Sequence, residues 1–209
     1  MTTINLEKLT CLEEIFSRLS KNGEHINRAA DAVLWANLEQ EQTAYETLFG
    51  ALGYDLRIDN RGFAWFHTLE SSTSANQNTR RLALFFMVLF EYQGDTGQPL
   101  RRFVDWRIDH ELLGEIYNQH KEVLFAEGIT SEEFPDITKT AERFGFMRKD
   151  AGAFYLLPAV YRYLDHFEAL ADTIHDDFGL NDGDDQADES ELNDAKADGE
   201  GDPGERHEH

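Results

Sequence analysis

The chain has 209 residues, 41% of them hydrophobic and 12% aromatic, enough to bury one sizeable core or two small ones. Its formal charge of −22, from 41 acidic and 19 basic residues, argues against autonomous binding to DNA, because affinity for phosphate comes mainly from Lys and Arg displacing counterions. The single cysteine, Cys11, excludes an intrachain disulfide and a Cys-based metal site.

In chain order, Met1–Glu7 lacks a basic region followed by an apolar run, so no signal peptide is expected. The most apolar stretch, Leu82–Phe90, falls far short of the roughly 20 residues that span a bilayer. A soluble, cytoplasmic protein is expected. Leu6, Leu9, Leu12, Phe16 and Leu19 recur at spacings of three and four and predict a first helix, stopped by Asn22-Gly23. A short second helix is expected near Ala29–Ala36. A third places Leu38, Tyr45, Leu48, Phe49 and Leu52 on one face and ends at Gly53, where a C-terminal cap belongs. The period then switches to two. Tyr54, Leu56 and Ile58 alternate with Asp55, Arg57 and Asp59, Asn60-Arg61-Gly62 makes a turn, and Phe63–His67 returns, which predicts a β-hairpin. Three helices followed by a hairpin is the order of a winged-helix domain, expected over 1–70, and the Ser/Thr/Asn-rich residues 71–78 read as a linker.

The second half repeats the order over 79–175. Arg80–Glu91 predicts a buried helix, Gln93–Pro99 a loop, and Trp106–Phe125 a broken helix. Thr130 or Ser131 is positioned to cap a helix with Phe134, Ile137, Ala141 and Phe144 on one face, ended by Gly145. Phe146–Leu157 predicts a second hairpin around Asp150-Ala151-Gly152. A last helix starts near Pro158, with Val160, Leu164, Phe167, Ala171 and Ile174 as its buried stripe. Residues 176–209 hold fourteen acidic residues against Lys196 and Arg206, with almost no large apolar side chains, and are expected to be a disordered acidic tail. The expected fold class is mainly α with small β-hairpins (α+β): tandem winged-helix domains plus that tail.

The chain lacks the signatures of a Gly-rich phosphate loop, a nucleophile elbow and HExxH. His110 and His120, and His166 and His175, lack the spacing of three or four that metal ligands on one helix need. The pair His207 and His209 flanks Glu208 in the tail. Cys11 sits among Leu9, Leu12 and Ile15 and reads as a packing residue. No catalytic, metal or cofactor site is expected. Basic residues inside an acidic chain are more informative. Lys139 and Arg143 share a helix face four apart, and Arg148 and Lys149 follow in the second hairpin. These four positions, recognition helix and wing of a winged-helix domain, form the candidate DNA-binding set, suited to backbone contact rather than base reading. Arg57 and Arg61 in the first hairpin are flanked by Asp55 and Asp59 and are weaker candidates. Trp35, Trp65 and Trp106 are candidate partner anchors, with core packing the plainer reading of each.

Several stretches carry a family resemblance. They are Leu19-Ser20-Lys21-Asn22-Gly23-Glu24-His25-Ile26, Leu52-Gly53-Tyr54-Asp55-Leu56 and Arg61-Gly62-Phe63-Ala64-Trp65-Phe66 in the first half, and Arg143-Phe144-Gly145-Phe146, Ala153-Phe154-Tyr155-Leu156 and Val160-Tyr161-Arg162-Tyr163 in the second. Over about residues 6–175 the chain resembles MukE-like KITE subunits of bacterial condensins, closest to MksE. The resemblance implies a non-catalytic homodimer that binds a kleisin subunit (MukF/MksF-like). Through the kleisin it would join an SMC-like ATPase (MukB/MksB-like) acting on DNA, in chromosome organisation and segregation or in plasmid defence. It also implies a nucleoid-associated protein, and a DNA clamp at the positions matching Lys139 and Arg143, where Glu142 departs from the family's more basic pattern. A stand-alone winged-helix transcriptional regulator is the alternative; it would need a more basic recognition helix than either half supplies. An enzyme such as a metal-dependent hydrolase is the third.

Overall fold

In a computed structural model of the chain, which describes residues 4–21, 23–67 and 73–177, helices predominate and β-structure is confined to two small antiparallel sheets. Two compact units are distinguished, Met1–Ala169 and Leu170–His209; the architecture that follows is that of the first. Among the described residues no helix is long and apolar enough to cross a membrane.

The N-terminal leucine stripe folds as three segments rather than one helix: a 3-10 turn at Leu6–Lys8, α1 (Leu12–Phe16) and a π-helical turn at Ser17–Lys21. Asn37 accounts for the first break. Its Nδ2 donates to the Lys8 carbonyl (3.0 Å), and its Oδ1 accepts from the Cys11 N–H (3.2 Å) and the Tyr45 hydroxyl (2.5 Å). Backbone groups that a continuous helix would pair internally are thus satisfied by one side chain. Burial pushes the Tyr45 phenol up to about 12. Helices α2 (Ala32–Gln40) and α3 (Gln42–Ala51) follow. Leu38, expected on the third helix, lies on α2 and is fully buried. Leu52, expected in the buried stripe, lies past the end of α3 and is 58% exposed. Gly53 adopts the left-handed cap with φ +84°.

Strands β1 (Ile26–Asn27), β2 (Asp55–Asp59) and β3 (Phe63–His67) form a sheet of order β1-β3-β2, with Leu56 opposite Phe66 and Ile58 opposite Ala64. Alternate residues of a strand point to opposite faces. Ala64 and Phe66 enter a first core with Leu19, Trp35 and Phe49, whereas Phe63 enters a second core and Trp65 packs against it. Burial on both faces explains why β3 reads as an uninterrupted apolar run, Phe-Ala-Trp-Phe, while β2 alternates with charge.

The second core belongs to α4 (Thr73–Asp95), a 3-10 segment Leu100–Asp105, α5 (His110–Gln119), α6 (Lys121–Ala126), α7 (Asp136–Arg143), β4 (Met147–Asp150), β5 (Ala153–Leu156) and the start of α8 (Tyr161–Asp177). Helix α4 begins at Thr73 rather than near Arg80, so most of the stretch expected as a linker over 71–78 is helical. Leu82, Phe85, Phe86 and Leu89 anchor it, and tertiary packing overrides the weak propensity of its first turns. Trp106, expected inside a helix, is extended. Two residues on, Ile108 makes an isolated antiparallel bridge to Phe154, exchanging N–H···O bonds of 2.9 and 2.8 Å. Ile108, β5 and β4 therefore repeat the order β1-β3-β2. On α8, Tyr163 is buried and Leu164 and Phe167 pack on the core, but Ala171, expected in the buried stripe, is exposed; the side chain of Ile174 lies outside the described part. The tail expected from 176 falls, from residue 178 onward, outside the described residues.

The two halves meet through β1 and β3. The His25 N–H and Nδ1 both donate to the Phe144 carbonyl (3.0 and 2.8 Å), and Nε2 accepts from Arg162 Nη1 (2.7 Å). With a carbonyl at one nitrogen and a guanidinium N–H at the other, the ring is the neutral Nδ1–H tautomer. Burial, reinforced by the Arg162 charge, holds its pKa at about 3. Arg162 as a residue is exposed, yet its guanidinium lies 4.7 Å over the Trp65 ring, and desolvation there lowers its pKa. Asn27 is fully buried. Its Nδ2 donates to the Gly145 carbonyl (2.8 Å) and its Oδ1 accepts from the Ala159 N–H (3.1 Å). Arg61 completes the seam, donating to Asp165 (2.6 and 2.7 Å) and Asp59 while lying 4.5 Å over the Tyr161 ring.

Candidate nucleic-acid interface

The second hairpin and the helix before it carry the candidate residues. Thr130 and Glu133 form a reciprocal capping box: the Glu133 N–H donates to Thr130 Oγ1 (3.3 Å), and the Thr130 N–H donates to the Glu133 carboxylate (3.2 Å). The bond to the Thr130 N–H, with Arg81 alongside, holds the Glu133 carboxyl below its ordinary range. Helix α7 then buries Ile137, Thr138 and Ala141 and leaves Lys139, Glu142 and Arg143 outside. Gly145, at φ +75°, turns the chain from α7 into β4. The hairpin turns through Ala151 (φ +44°) and Gly152 (φ +80°), the paired positive φ values of a two-residue turn whose twist matches that of the strands. Ala151 is the one non-glycine residue with positive φ among the described residues. Ala151→Asn, a residue that tolerates this conformation, is expected to raise stability by about 0.5–1 kcal/mol, measured by urea unfolding.

All four sequence-predicted residues are exposed and lie on these adjoining elements. They are not equivalent. Lys139 is held by Asp136 at 2.6 Å and Arg148 by Asp150 at 3.4 Å, whereas Arg143 and Lys149 have no carboxylate partner among the described residues. Exposed pairs of this kind are worth about 0–1 kcal/mol, so a phosphate can displace them at little cost. Three of the cations lie over aromatic rings: Arg143 over Phe144 (4.8 Å), Arg148 over its cross-strand neighbour Tyr155 (4.9 Å) and Lys149 over its cross-strand neighbour Phe154 (5.7 Å). Residues 136–150 carry four basic and three acidic side chains, a weakly positive strip in a chain of charge −22. That balance suits backbone contact of modest strength and not a stand-alone high-affinity site.

The first hairpin offers no counterpart. Arg57 is paired with Asp55 at 2.7 Å, Arg61 is committed to Asp59 and Asp165, and Phe63 and Trp65 lie against the second core. The bonds to Asp165 and Asp59 raise the Arg61 pKa above its ordinary value, and the bond to Arg61 lowers that of Asp59. Trp35 and Trp106 are buried and Trp65 is half-buried in the seam, so all three tryptophans are packing residues. Cys11 caps α1 and is half-buried. Among the described residues no group of three His, Cys, Asp or Glu side chains could hold a metal ion.

The sequence profile described as condensin complex protein MksE matches residues 10–168. The chain belongs to the MksE family. The match takes in both hairpins, the seam residues His25, Asn27, Gly145 and Arg162, and all four candidate cations. No curated protein matches the chain at a significant level.

Proposed function

We propose that this MksE-family chain is the non-catalytic, kleisin-binding subunit of an SMC-type complex, cytoplasmic and nucleoid-associated, and that it acts as a homodimer in chromosome organisation and segregation. Membership of a condensin-protein family across residues 10–168 is the observation that carries the reading. In it, the halves are tandem winged-helix domains. A helix, a short strand, further helices (α2 and α3 in the first half, α5, α6 and α7 in the second) and a hairpin whose second strand is central follow one another in each half, which supports that assignment. The same complex in a plasmid-defence setting would use the chain in the same way.

Within the complex, the kleisin links the chain to a coiled-coil ATPase, and the second hairpin faces DNA. Arg143 and Lys149 are the primary phosphate contacts, with Lys139 and Arg148 recruited as their ion pairs open. The first hairpin serves as the seam between domains and stays away from the duplex. The test is DNA affinity of the assembled complex against salt concentration. The double variant R143E/K149E should flatten the slope of log K against log salt by about 2, roughly one phosphate contact per residue. The variant R57E, on the first hairpin, should leave the slope unchanged. An unaltered slope in the double variant would remove the hairpin from the DNA path.

A further inference from the structure

Arg80–Glu91 predicts a buried helix, yet one face of α4 is left open to solvent. Leu82, Phe85 and Leu89 are buried, whereas Arg80, Met87 and Glu91 are exposed and Leu84 is half-buried. Arg80, Leu84, Met87 and Glu91 follow one another at spacings of four, three and four, which sets them in one line along the helix. The line carries a charge at each end and apolar side chains between. Met87, near its middle, is 44% exposed. At one end Arg80, its side chain 73% exposed, is bonded to Glu127 at 2.7 Å; at the other Glu91, 57% exposed, lies 3.8 Å from His120. His120 and Glu127 flank α6, so these two contacts lay α6 beside the line. Val123, also exposed, is three residues after His120 and four before Glu127, which puts it on the same side of α6. Apolar side chains on the outer face of a long helix, framed by charge, mark a partner surface.

We propose that a second copy of this chain covers this face, α4 packed antiparallel on α4, with Arg80 of each copy opposite Glu91 of the other and Leu84 opposite Met87. The line is its own complement. Reversed end to end, it presents Glu where it had Arg and an apolar side chain where it had an apolar side chain. A two-fold axis crossing α4 between Phe85 and Phe86 performs that reversal, because in such an interface residue i meets j and j meets i. Charge selects among occupants. A uniformly basic or uniformly acidic helix would suit one end and oppose the other, and a parallel pair would set Arg80 on Arg80 and Glu91 on Glu91. The bonds to Glu127 and His120 are exposed pairs worth about 0–1 kcal/mol, so they open at little cost. The proposal names the contact of the homodimer proposed above and rests on that reading; it is independent of whether α7 and β4 meet DNA.

The measurement is sedimentation of the full chain over a range of concentrations. The wild type should be a dimer, and Met87→Glu, at an exposed position outside the core, should be monomeric with its fold intact. Arg80→Glu and Glu91→Arg should each weaken the dimer at least tenfold, since the two-fold axis sets every reversed charge against a like charge twice. The double variant R80E/E91R, which exchanges the two ends, should recover most of that loss. Loss of the Arg80–Glu127 bond is common to R80E and the double variant, so the recovery reports on the contact between copies. A dimer undiminished in M87E, or a double variant no tighter than the single ones, would overturn the proposed contact and leave the homodimer itself standing. A wild type that is monomeric at every concentration would overturn both. Kleisin binding is judged separately, by the proteins recovered with the chain from its cells.

Discussion

Gly145→Ala is expected to destabilise the protein by about 3 kcal/mol, from a left-handed backbone and an overpacked contact together. At Gly145 the φ is +75°, and a Cβ would overlap the carbonyl oxygen of His25 and press on its nitrogen. Neither neighbour can give way: the His25 N–H is bonded to the Phe144 carbonyl, and the Gly145 carbonyl accepts from buried Asn27. Gly53→Ala is the control, since Gly53 has a similar φ of +84° but a methyl added there would meet nothing within 4 Å. It should cost only the conformational part, about 1–2 kcal/mol. Urea unfolding of both variants separates the two contributions. Equal losses would mean that the halves do not meet as tightly as the His25–Gly145 contact requires.

Stability is expected to fall with acidification from near pH 6.5, well before carboxylates titrate. The His25 pKa is held at about 3 against an ordinary value of 6.5. The unfolded chain therefore binds a proton at this residue that the folded chain refuses. Stability from the neutral ring is fully present above pH 6.5 and is lost as pH falls towards 3, at up to about 1.4 kcal/mol per pH unit. By pH 5 the loss is about 2 kcal/mol. Facing the ring are Arg162, Trp65, Phe146 and the Phe144 carbonyl, a set with no carboxylate to stabilise an imidazolium. Asp59, whose pKa is lowered by Arg61, adds its own loss only below its ordinary value of 3.8. His25→Gln, which keeps a donor and an acceptor but does not titrate, should abolish the slope between pH 6.5 and 4.5. A slope unchanged in that variant would assign it to another group.

Much of this fold was legible because its elements announce themselves by period. The alternation of Leu56 and Ile58 with Asp55 and Arg57, the turn at Gly62 and the cap at Gly53 are all local signals; the helix expected to be capped by Thr130 or Ser131 instead begins at Asp136, after a turn that the Thr130–Glu133 bonds close. What escaped is what locality cannot carry. The two-residue strand β1 and the single bridge at Ile108 are too short to show a period, and both are defined by partners far along the chain. The break between Leu6–Lys8 and α1 depends on Asn37, a residue of another helix. The seam had one readable trace: four apolar residues in a row, Phe63–Phe66, in a hairpin whose other strand alternates. Such a run signals a strand covered on both faces and pointed to a second layer against the first hairpin. At the candidate interface the four cations could be read from spacing, but the inequality among them could not. Only the fold shows Asp136 and Asp150 occupying Lys139 and Arg148 and leaving Arg143 and Lys149 without a carboxylate partner among the described residues.

Bonds from His25, Asn27 and Arg61 across to Phe144, Gly145, Ala159, Arg162 and Asp165 tie β1 and the first hairpin to the turn that launches β4 and to the start of α8.

The most direct test of the central claim is affinity purification of the tagged protein from its native cells at moderate salt, with every co-purifying chain identified. A kleisin together with a long coiled-coil ATPase is the expected recovery. Recovery of the chain alone, or with promoter DNA and RNA polymerase, would contradict it and favour a stand-alone regulator.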